Sequence, residues 1–183
     1  MTKRKTAILL SLIAVFLLVG GFFAVHWFTT VDAENMDGIA EKAAAYLQSD
    51  EPMYVQQVEQ RGNFLAALCS TADGKTAMCV FEKDPVFKSR WKANGGKASL
   101  TSGEISSWNY GSPDGEAVLV FCGAEIPEEV CWYTFTNDGI IYICPVEEHR
   151  VLDIFILPNS NDVNSYPIPL DKEKQEIPAA NQP

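Results

Sequence analysis

The segment AILLSLIAVFLLVGGFFAVHWF, residues 7–28, is 22 residues long and contains no Asp, Glu, Lys or Arg. As a helix it spans about 33 Å, against about 30 Å for the hydrocarbon core of a typical bilayer. Residues 3–5, Lys-Arg-Lys, precede it, whereas the next basic residue is Lys42. Because basic residues favour the cytoplasmic side, the sequence predicts a single-pass transmembrane helix over 7–28, a cytoplasmic tip over 1–6 and a C-terminal domain outside the cell membrane.

The same segment has a second interpretation, as a cleaved signal peptide. Residues 31–33, Val-Asp-Ala, would then supply the small side chains before a cleavage site, and a secreted chain would begin at Glu34. The apolar part of a signal peptide usually has about 7 to 15 residues, fewer than are present here. The length of the run therefore favours an uncleaved signal-anchor.

The rest of the chain has the composition of an acidic, soluble domain. All 24 acidic residues follow Thr29, together with 11 of the 14 basic residues, so this part carries a formal charge of −13. A surface of that sign repels nucleic acid, which we exclude as a partner. The predicted partners are the membrane, another envelope protein or an anionic polymer.

The sequence after the apolar run predicts an α+β domain over 29–157. Apolar residues recur at three- and four-residue steps between Glu34 and Ser49, which predicts one amphipathic helix. Beyond Pro52, short β-branched and aromatic runs separated by Gly, Asn and Asp predict strands over 53–60, 64–70, 76–82, 87–92, 104–110, 116–122, 130–136, 140–144 and 150–157. Short connections favour antiparallel neighbours, so we expect one curved antiparallel sheet of about eight to nine strands with the helix packed on it.

The C-terminal residues 158–183 contain five of the ten prolines. This composition predicts a Pro-rich tail that is disordered from about Asp171. Deleting residues 171–183 is therefore expected to change the melting temperature very little.

The five cysteines all follow Thr29, where disulfides are chemically allowed. Residues 117–122, AVLVFC, and 131–133, CWY, predict a hairpin in which Cys122 lies opposite Cys131 and Val120 opposite Tyr133. Cross-strand neighbours are about 4.5 to 5.5 Å apart at Cα, so these two cysteines could form a disulfide. Residues 64–69 and 79–81 follow the same pattern, which suggests a duplicated hairpin or only the usual likeness between hairpins.

No motif in the sequence carries a recognisable chemistry. Cys144, His149 and the two glutamates between them are close in sequence, but they lack any nucleophile signature and are typical of a strand followed by a charged turn. The cysteine spacing fits no zinc site. We therefore predict no catalytic residues, no metal and no cofactor.

One cluster of basic residues stands out from the acidic domain. Residues 87–92, FKSRWK, alternate strictly, so a strand would place Lys88, Arg90 and Lys92 on one face. That face could bind a polyanion, or it could simply be a solvated face that discourages edge pairing. The sequence thus favours a membrane-anchored, non-enzymatic binding or interaction domain. The alternatives are an anchored envelope hydrolase and, if residues 1–33 are cleaved, a secreted protein.

Overall fold

A computed structural model of the chain describes residues 3–111, 116–158 and 163–177. Within these residues lie the helices α1 (Lys3–Thr29) and α2 (Met36–Leu47). The strands are β1 (Val31–Asp32), β2 (Met53–Arg61), β3 (Phe64–Thr71), β4 (Thr76–Lys83), β5 (Arg90–Leu100), β6 (Ser106–Gly111), β7 (Glu116–Gly123), β8 (Trp132–Asn137), β9 (Ile140–Pro145), β10 (Val151–Pro158) and β11 (Val163–Leu170).

Helix α1 is long and apolar enough to cross a membrane. Its segment Leu10–Thr29 has a mean hydropathy of 2.1, and none of the residues in this segment is buried against the rest of the chain. Large apolar side chains from Leu10 to Phe28 are therefore exposed all around the helix. A helix that is apolar on every side and exposed along most of its length needs an apolar surrounding such as a bilayer or a signal-peptide receptor.

Helix α2 confirms the predicted amphipathic helix, with slightly narrower bounds. It begins where the Asn35 side chain accepts a hydrogen bond from Gly38 N, and it ends at Gln48, which adopts a left-handed backbone conformation. Ile39, Ala40 and Ala43 form its buried stripe. This stripe packs on a sheet, as the sequence predicts.

The strands form three sheets rather than the single sheet that we expected. Sheet A has the order β1-β5-β4-β3-β2, sheet B the order β10-β7-β6, and sheet C the order β11-β8-β9. Every pairing is antiparallel, as predicted. The strand number within the described residues is 11, because β1 and β11 lie in segments where no strand was predicted.

The helix and sheets stack in the order α2, sheet A, sheet B, sheet C. Along β3, Leu65 and Ala67 join the α2 side of the core, whereas Ala66 and Leu68 pack against sheet B. Along β7, side chains alternate in the same way between sheet A and sheet C. Sheets A and B are thus covered on both faces, which explains why residues 64–69 and 117–122 are continuously apolar.

The predicted strand over 87–92 is wrong in position. Residues 87–89 lie in a turn, and β5 starts at Arg90 and continues to Leu100. The turn forms because the Asp84 carboxylate accepts hydrogen bonds from the backbone N–H groups of Val86 and Phe87, which therefore cannot join a strand ladder. Gly95 and Gly96, which fall between the strands predicted over 87–92 and 104–110, lie inside β5 beside irregularities in its pairing with β4.

The predicted end of the domain near residue 157 is also too early. Strand β11 pairs with β8 as the edge of sheet C. After it, Asp171 N donates to Gln175 O and Ile177 N donates to Pro169 O, so residues 171–177 turn back onto β11. The expectation of disorder from Asp171 is therefore wrong for 171–177, and residues 178–183 lie outside the described part of the chain.

Candidate functional site: the helix–domain junction

Asp84 is the centre of the contact between α1 and the domain. Its side chain is fully buried, and its Oδ2 lies 2.8 Å from Nδ1 of His26 in α1. Its Oδ1 accepts hydrogen bonds from Val86 N at 2.8 Å and Phe87 N at 2.7 Å. Burial by itself would raise the pKa of Asp84, but the hydrogen bonds from Phe87, His26 and Val86 outweigh it and hold the pKa below its ordinary value. The carboxylate is therefore charged and joins the two parts of the chain.

Arg90 also binds the last turn of α1 and the residue that follows it. Its Nη2 donates to Thr30 O at 2.7 Å and to Trp27 O at 3.1 Å, and its Nε donates to Thr30 Oγ1 at 2.8 Å. The guanidinium also lies 4.1 Å from the centre of the Trp27 ring. Lys42 adds a hydrogen bond from its Nζ to Phe28 O at 2.9 Å. The last carbonyls of a helix lack partners within the helix and carry partial negative charge, so these two cations cap α1.

Phe87 completes the junction with aromatic contacts. Its ring lies 5.8 Å from the Phe23 ring and 5.8 Å from the Trp27 ring, measured between centroids. We call residues 84–89, which include Phe87 and connect β4 to β5, the junction loop. The loop packs along the last two turns of α1, and the carboxylate of Asp84 bonds to His26 of the helix.

Strand β1 links this junction to the core. Val31 is only 3% exposed and belongs to the cluster between α2 and sheet A. It pairs with Trp91, while Asp32 pairs with Arg90. The residues directly after α1 are therefore part of the folded domain, and no free linker separates helix from sheet.

A second polar cluster lies between sheets B and C. Asp153 is on the face of β10 whose other members pack in the apolar core between these sheets, and its Oδ2 accepts a hydrogen bond from the Tyr133 hydroxyl at 2.6 Å. Desolvation is the main cause that raises the pKa of Asp153, with a smaller contribution from Glu147. Burial likewise raises the pKa values of Tyr133 and Cys144. Since the phenol and the thiol both stay protonated, this cluster does not provide an activated nucleophile.

Among the predicted anion-binding residues, the structure gives Arg90 a defined partner. The Arg90 guanidinium donates its hydrogen bonds to Trp27 and Thr30 at the end of α1. Lys88 is exposed in the turn, and Lys92 is exposed on β5. Since Lys88 is not in the strand, the three cations do not form the alternating face that the sequence suggested. Binding of a polyanion stays a prediction that now depends on Lys88 and Lys92.

The hairpin that supported the Cys122–Cys131 disulfide is absent. Strand β7 pairs with β6 and β10, which places Leu152 and Ser106 opposite Cys122. Cys131 precedes β8 in sheet C, and all five cysteines are free thiols. Burial raises the pKa of Cys122 to about 12 and that of Cys69 to about 11, so both behave as apolar core side chains. The disulfide stays a prediction without its geometric support. The duplicated hairpin is not found in the described residues, since β3 pairs with β4 whereas β7 pairs with β6 and β10 and not with β8.

The other residues considered for chemistry are not brought into a shared site. His149 has its Nδ1 3.0 Å from Ile126 O, in a turn closed by the Glu147 and Arg150 backbones. Cys144 instead packs in the core between sheets B and C. No group of three or more potential metal ligands is found in the described residues.

A cleft of about 180 Å³ near Ser49 and Thr71 contains Lys75. Lys75 is 2.6 Å from Asp73, and this partner lowers the pKa of the carboxyl, which therefore cannot hold a proton for catalysis near neutral pH.

Strand β9 is the most apolar exposed surface of the described sheets. It forms the edge of sheet C, with β8 as its neighbour. Ile140, Ile141 and Ile143 are 57%, 68% and 46% exposed. Tyr142 and Cys144 alternate with Ile141 and Ile143 and face the core, whereas Ile140 lies at the start of the strand. An uncharged edge strand with exposed isoleucines can accept a strand from another polypeptide.

Sequence reasoning missed Asp84 and Asp153, the two carboxylates that organise these sites. Asp84 precedes Pro85, which is a weak turn signal. Its link to His26, 58 residues earlier, has no local signature. Asp153 breaks the apolar run VLDIFIL, and a charged residue inside such a run is the one signal that could have identified it.

Comparisons with known protein families, curated proteins and solved structures find no match for this chain.

Proposed function

We propose that this protein is a single-pass membrane protein whose extracytoplasmic domain is a non-enzymatic interaction module held directly at the membrane surface. The observation that carries the proposal is the junction. Asp84, Arg90 and Lys42 of the domain all bond to residues in the last turns of the apolar helix or just after it. A segment destined for removal has no need of a hydrogen bond to a buried carboxylate of the mature domain.

Cleavage after Ala33 would also remove part of the fold. It would take away β1 with Val31, which is in the core, and Thr30, which accepts a hydrogen bond from Arg90. It would leave the buried Asp84 carboxylate without His26, and a buried charge that loses a partner is costly. These costs support the uncleaved anchor over the secreted alternative.

The test of anchoring uses the full chain in its native membrane. Full-length protein is expected to stay in the membrane pellet after alkaline carbonate washing, and protease added from outside should reach the domain. A soluble chain whose N-terminus is Glu34 would contradict the proposal.

The exposed edge of β9 supports the interaction role, and we propose another envelope protein as its partner. Cross-linking in intact membranes, followed by identification of the attached proteins by mass, should give one dominant partner. Ile141→Lys with Ile143→Lys should remove that partner, because two buried ammonium groups cannot join an apolar interface. Tyr54→Lys is the matched control, since Tyr54 is also exposed and lies on an edge strand, β2 of sheet A. Equal cross-linking in both variants would reject β9 as the docking surface.

The alternative of an envelope hydrolase finds no support in the described residues. The perturbed groups Asp153, Tyr133 and Cys144 lie between two sheets, whereas the cleft near Lys75 has no group poised for proton transfer.

A further inference from the structure

The junction loop carries apolar side chains to the depth of α1 residues that belong to the apolar span. Phe87 contacts both Phe23 and Trp27, which are one helical turn, about 6 Å, apart along the axis. Phe23 lies six residues before the end of α1, or about 9 Å along the helix from Thr29. If α1 crosses a bilayer, any ring in contact with Phe23 is close to the boundary between headgroups and acyl chains.

The backbone of the loop is suited to that depth. Val86 N and Phe87 N donate to the Asp84 side chain, Asp84 N donates to Arg90 O, and Arg90 N donates to Phe87 O. Pro85 has no N–H group to satisfy. Irregular segments are costly in lipid because their backbone groups lack hydrogen-bond partners. In this loop the N–H groups of Asp84, Val86, Phe87 and Arg90 all have partners, which lowers that cost.

The polarity of the loop changes in the way that an interface requires. Pro85 is exposed, and Val86 and Phe87 are partly exposed although apolar. Lys88 follows directly and is exposed, so its long side chain can reach lipid phosphates while its stem stays among apolar groups.

We propose that the junction loop inserts into the outer leaflet beside α1 and forms a second membrane contact of the domain, with Pro85, Val86 and Phe87 against lipid and Lys88 at the headgroup phosphates. This inference rests on the proposed membrane anchor. Two contact points would fix the tilt of the domain, whereas a helix with a flexible linker leaves it free.

The experiment measures the depth of the loop in vesicles that contain the full chain. Cys131→Ser removes the one cysteine that is not buried. A single cysteine is then introduced as Pro85→Cys or Ser89→Cys and labelled with a polarity-sensitive fluorophore. Ala72→Cys is the matched control, because it is exposed in the turn at the other end of β4, about 26 Å away along the strand. The vesicles contain phosphatidylcholine and phosphatidylglycerol, with or without lipids that carry a nitroxide near the headgroup.

We expect nitroxide lipids to quench the labels at positions 85 and 89 at least about threefold more strongly than the label at 72, with a blue-shifted emission at 85. The two loop positions give independent readings if one substitution disturbs the turn. A chain that floats with the vesicles but shows equal quenching at all three positions rejects loop insertion and leaves the anchor intact. A chain that does not float with the vesicles rejects the anchor and this inference together.

Discussion

At the scale of single residues, Asp153 shows how a buried carboxyl group is tolerated inside an apolar layer. Its neighbours on the same face of β10 include Val151 and Phe155, which pack in the core between sheets B and C. The Tyr133 hydroxyl satisfies one of its oxygens, and desolvation favours the protonated carboxyl, which raises its pKa. The Tyr133 hydrogen bond and the raised pKa, which favours the neutral carboxyl, therefore both reduce the free-energy cost of burying Asp153.

The raised pKa of Asp153 predicts a specific pH dependence of stability. In the unfolded chain an aspartate has a pKa of about 3.9. The stabilisation that the neutral Asp153 carboxyl gives to the folded chain is therefore complete below that pH, and it is lost as the pH rises through the higher pKa of the folded state. Asp153→Asn keeps a neutral acceptor for the Tyr133 hydroxyl at every pH. The free energy of unfolding of this variant, relative to the original chain, should therefore increase between about pH 4 and pH 7.

Urea unfolding at a series of pH values measures this difference. Asp84 has the opposite tendency, since its lowered pKa gives stability that is lost on acidification, but it is present in both chains and cancels in the comparison. A difference that stays constant from pH 4 to 7 would show that Asp153 does not titrate abnormally.

Gly95 gives a second prediction at this scale, from close packing. A Cβ atom at this position of β5 would lie 2.1 Å from Cζ2 of Trp108, whose ring stacks on Tyr110 against the core between sheets A and B. Gly95→Ala should therefore lower the free energy of unfolding by about 1 to 3 kcal/mol. Gly111→Ala is the control, because no atom of the described residues lies within 4 Å of a Cβ there, and its effect should stay within about 0.5 kcal/mol. Equal effects in urea unfolding would mean that the Trp108 ring moves aside freely.

At the scale of elements, local patterns located helices and strands but not their partners. The apolar runs over 64–70 and 116–122 predicted strands correctly, and the structure places β3 and β7 there. Their likeness also suggested two similar hairpins, yet β3 pairs with the next strand, whereas β7 pairs with β10, whose partner residues lie 28 to 42 positions later. A run that is apolar on both faces fits any sheet covered on both sides, so the pattern could not choose between one sheet and a stack of three.

The C-terminal turn after β11 yields a prediction opposite to the one made from composition. Lys174 lies 4.7 Å from the centre of the Trp132 ring, and Ile177 N bonds to Pro169 O. Deleting residues 171–183 removes both contacts and uncovers the edge of sheet C. The melting temperature should therefore fall by about 2 to 6 °C. Thermal unfolding followed by circular dichroism measures the shift, with deletion of 178–183 alone as the control, and an unchanged melting temperature for the longer deletion would restore the tail interpretation.

At the scale of the whole molecule, the apolar helix and the acidic domain could be separated from composition alone, but their junction could not. Asp84, Arg90 and Lys42 are 58, 63 and 14 residues from their partners in α1. Such distances leave no periodic trace in the sequence. Helix α1 ends at Thr29, one residue after the span predicted from the sequence.

The position of β1 predicts where the folded domain must begin. A fragment of residues 30–183 retains Val31 in the core, whereas a fragment of residues 34–183 lacks the strand that pairs with Trp91. Burying one valine is worth about 1.5 to 3 kcal/mol, so the shorter fragment should be less stable by about 2 kcal/mol or more. Urea unfolding of both fragments measures the loss, and equal stability would remove the structural objection to cleavage after Ala33.

Lys88 and Lys92, the two cations of the predicted face that do not bind α1, test whether the acidic domain can bind an anionic surface. Arg90 is unsuitable for this test, because reversing its charge would also break the cap of α1. Lys88→Glu with Lys92→Glu changes the two exposed cations of the predicted face and leaves the hydrogen bonds of Asp84, Arg90 and Lys42 to α1 and Thr30 in place. If these side chains bind a polyanion, the fragment of residues 30–183 should associate with phosphatidylglycerol vesicles at about 0.02 M salt. The fragment should dissociate at about 0.5 M salt, because screening at that concentration shortens the range of charge attraction to a few ångströms. The double variant should not associate at either concentration. Lys172→Glu with Lys174→Glu is the matched charge control from the C-terminal turn, and equal loss of binding in both pairs would mean that net charge, rather than a local patch, governs the association.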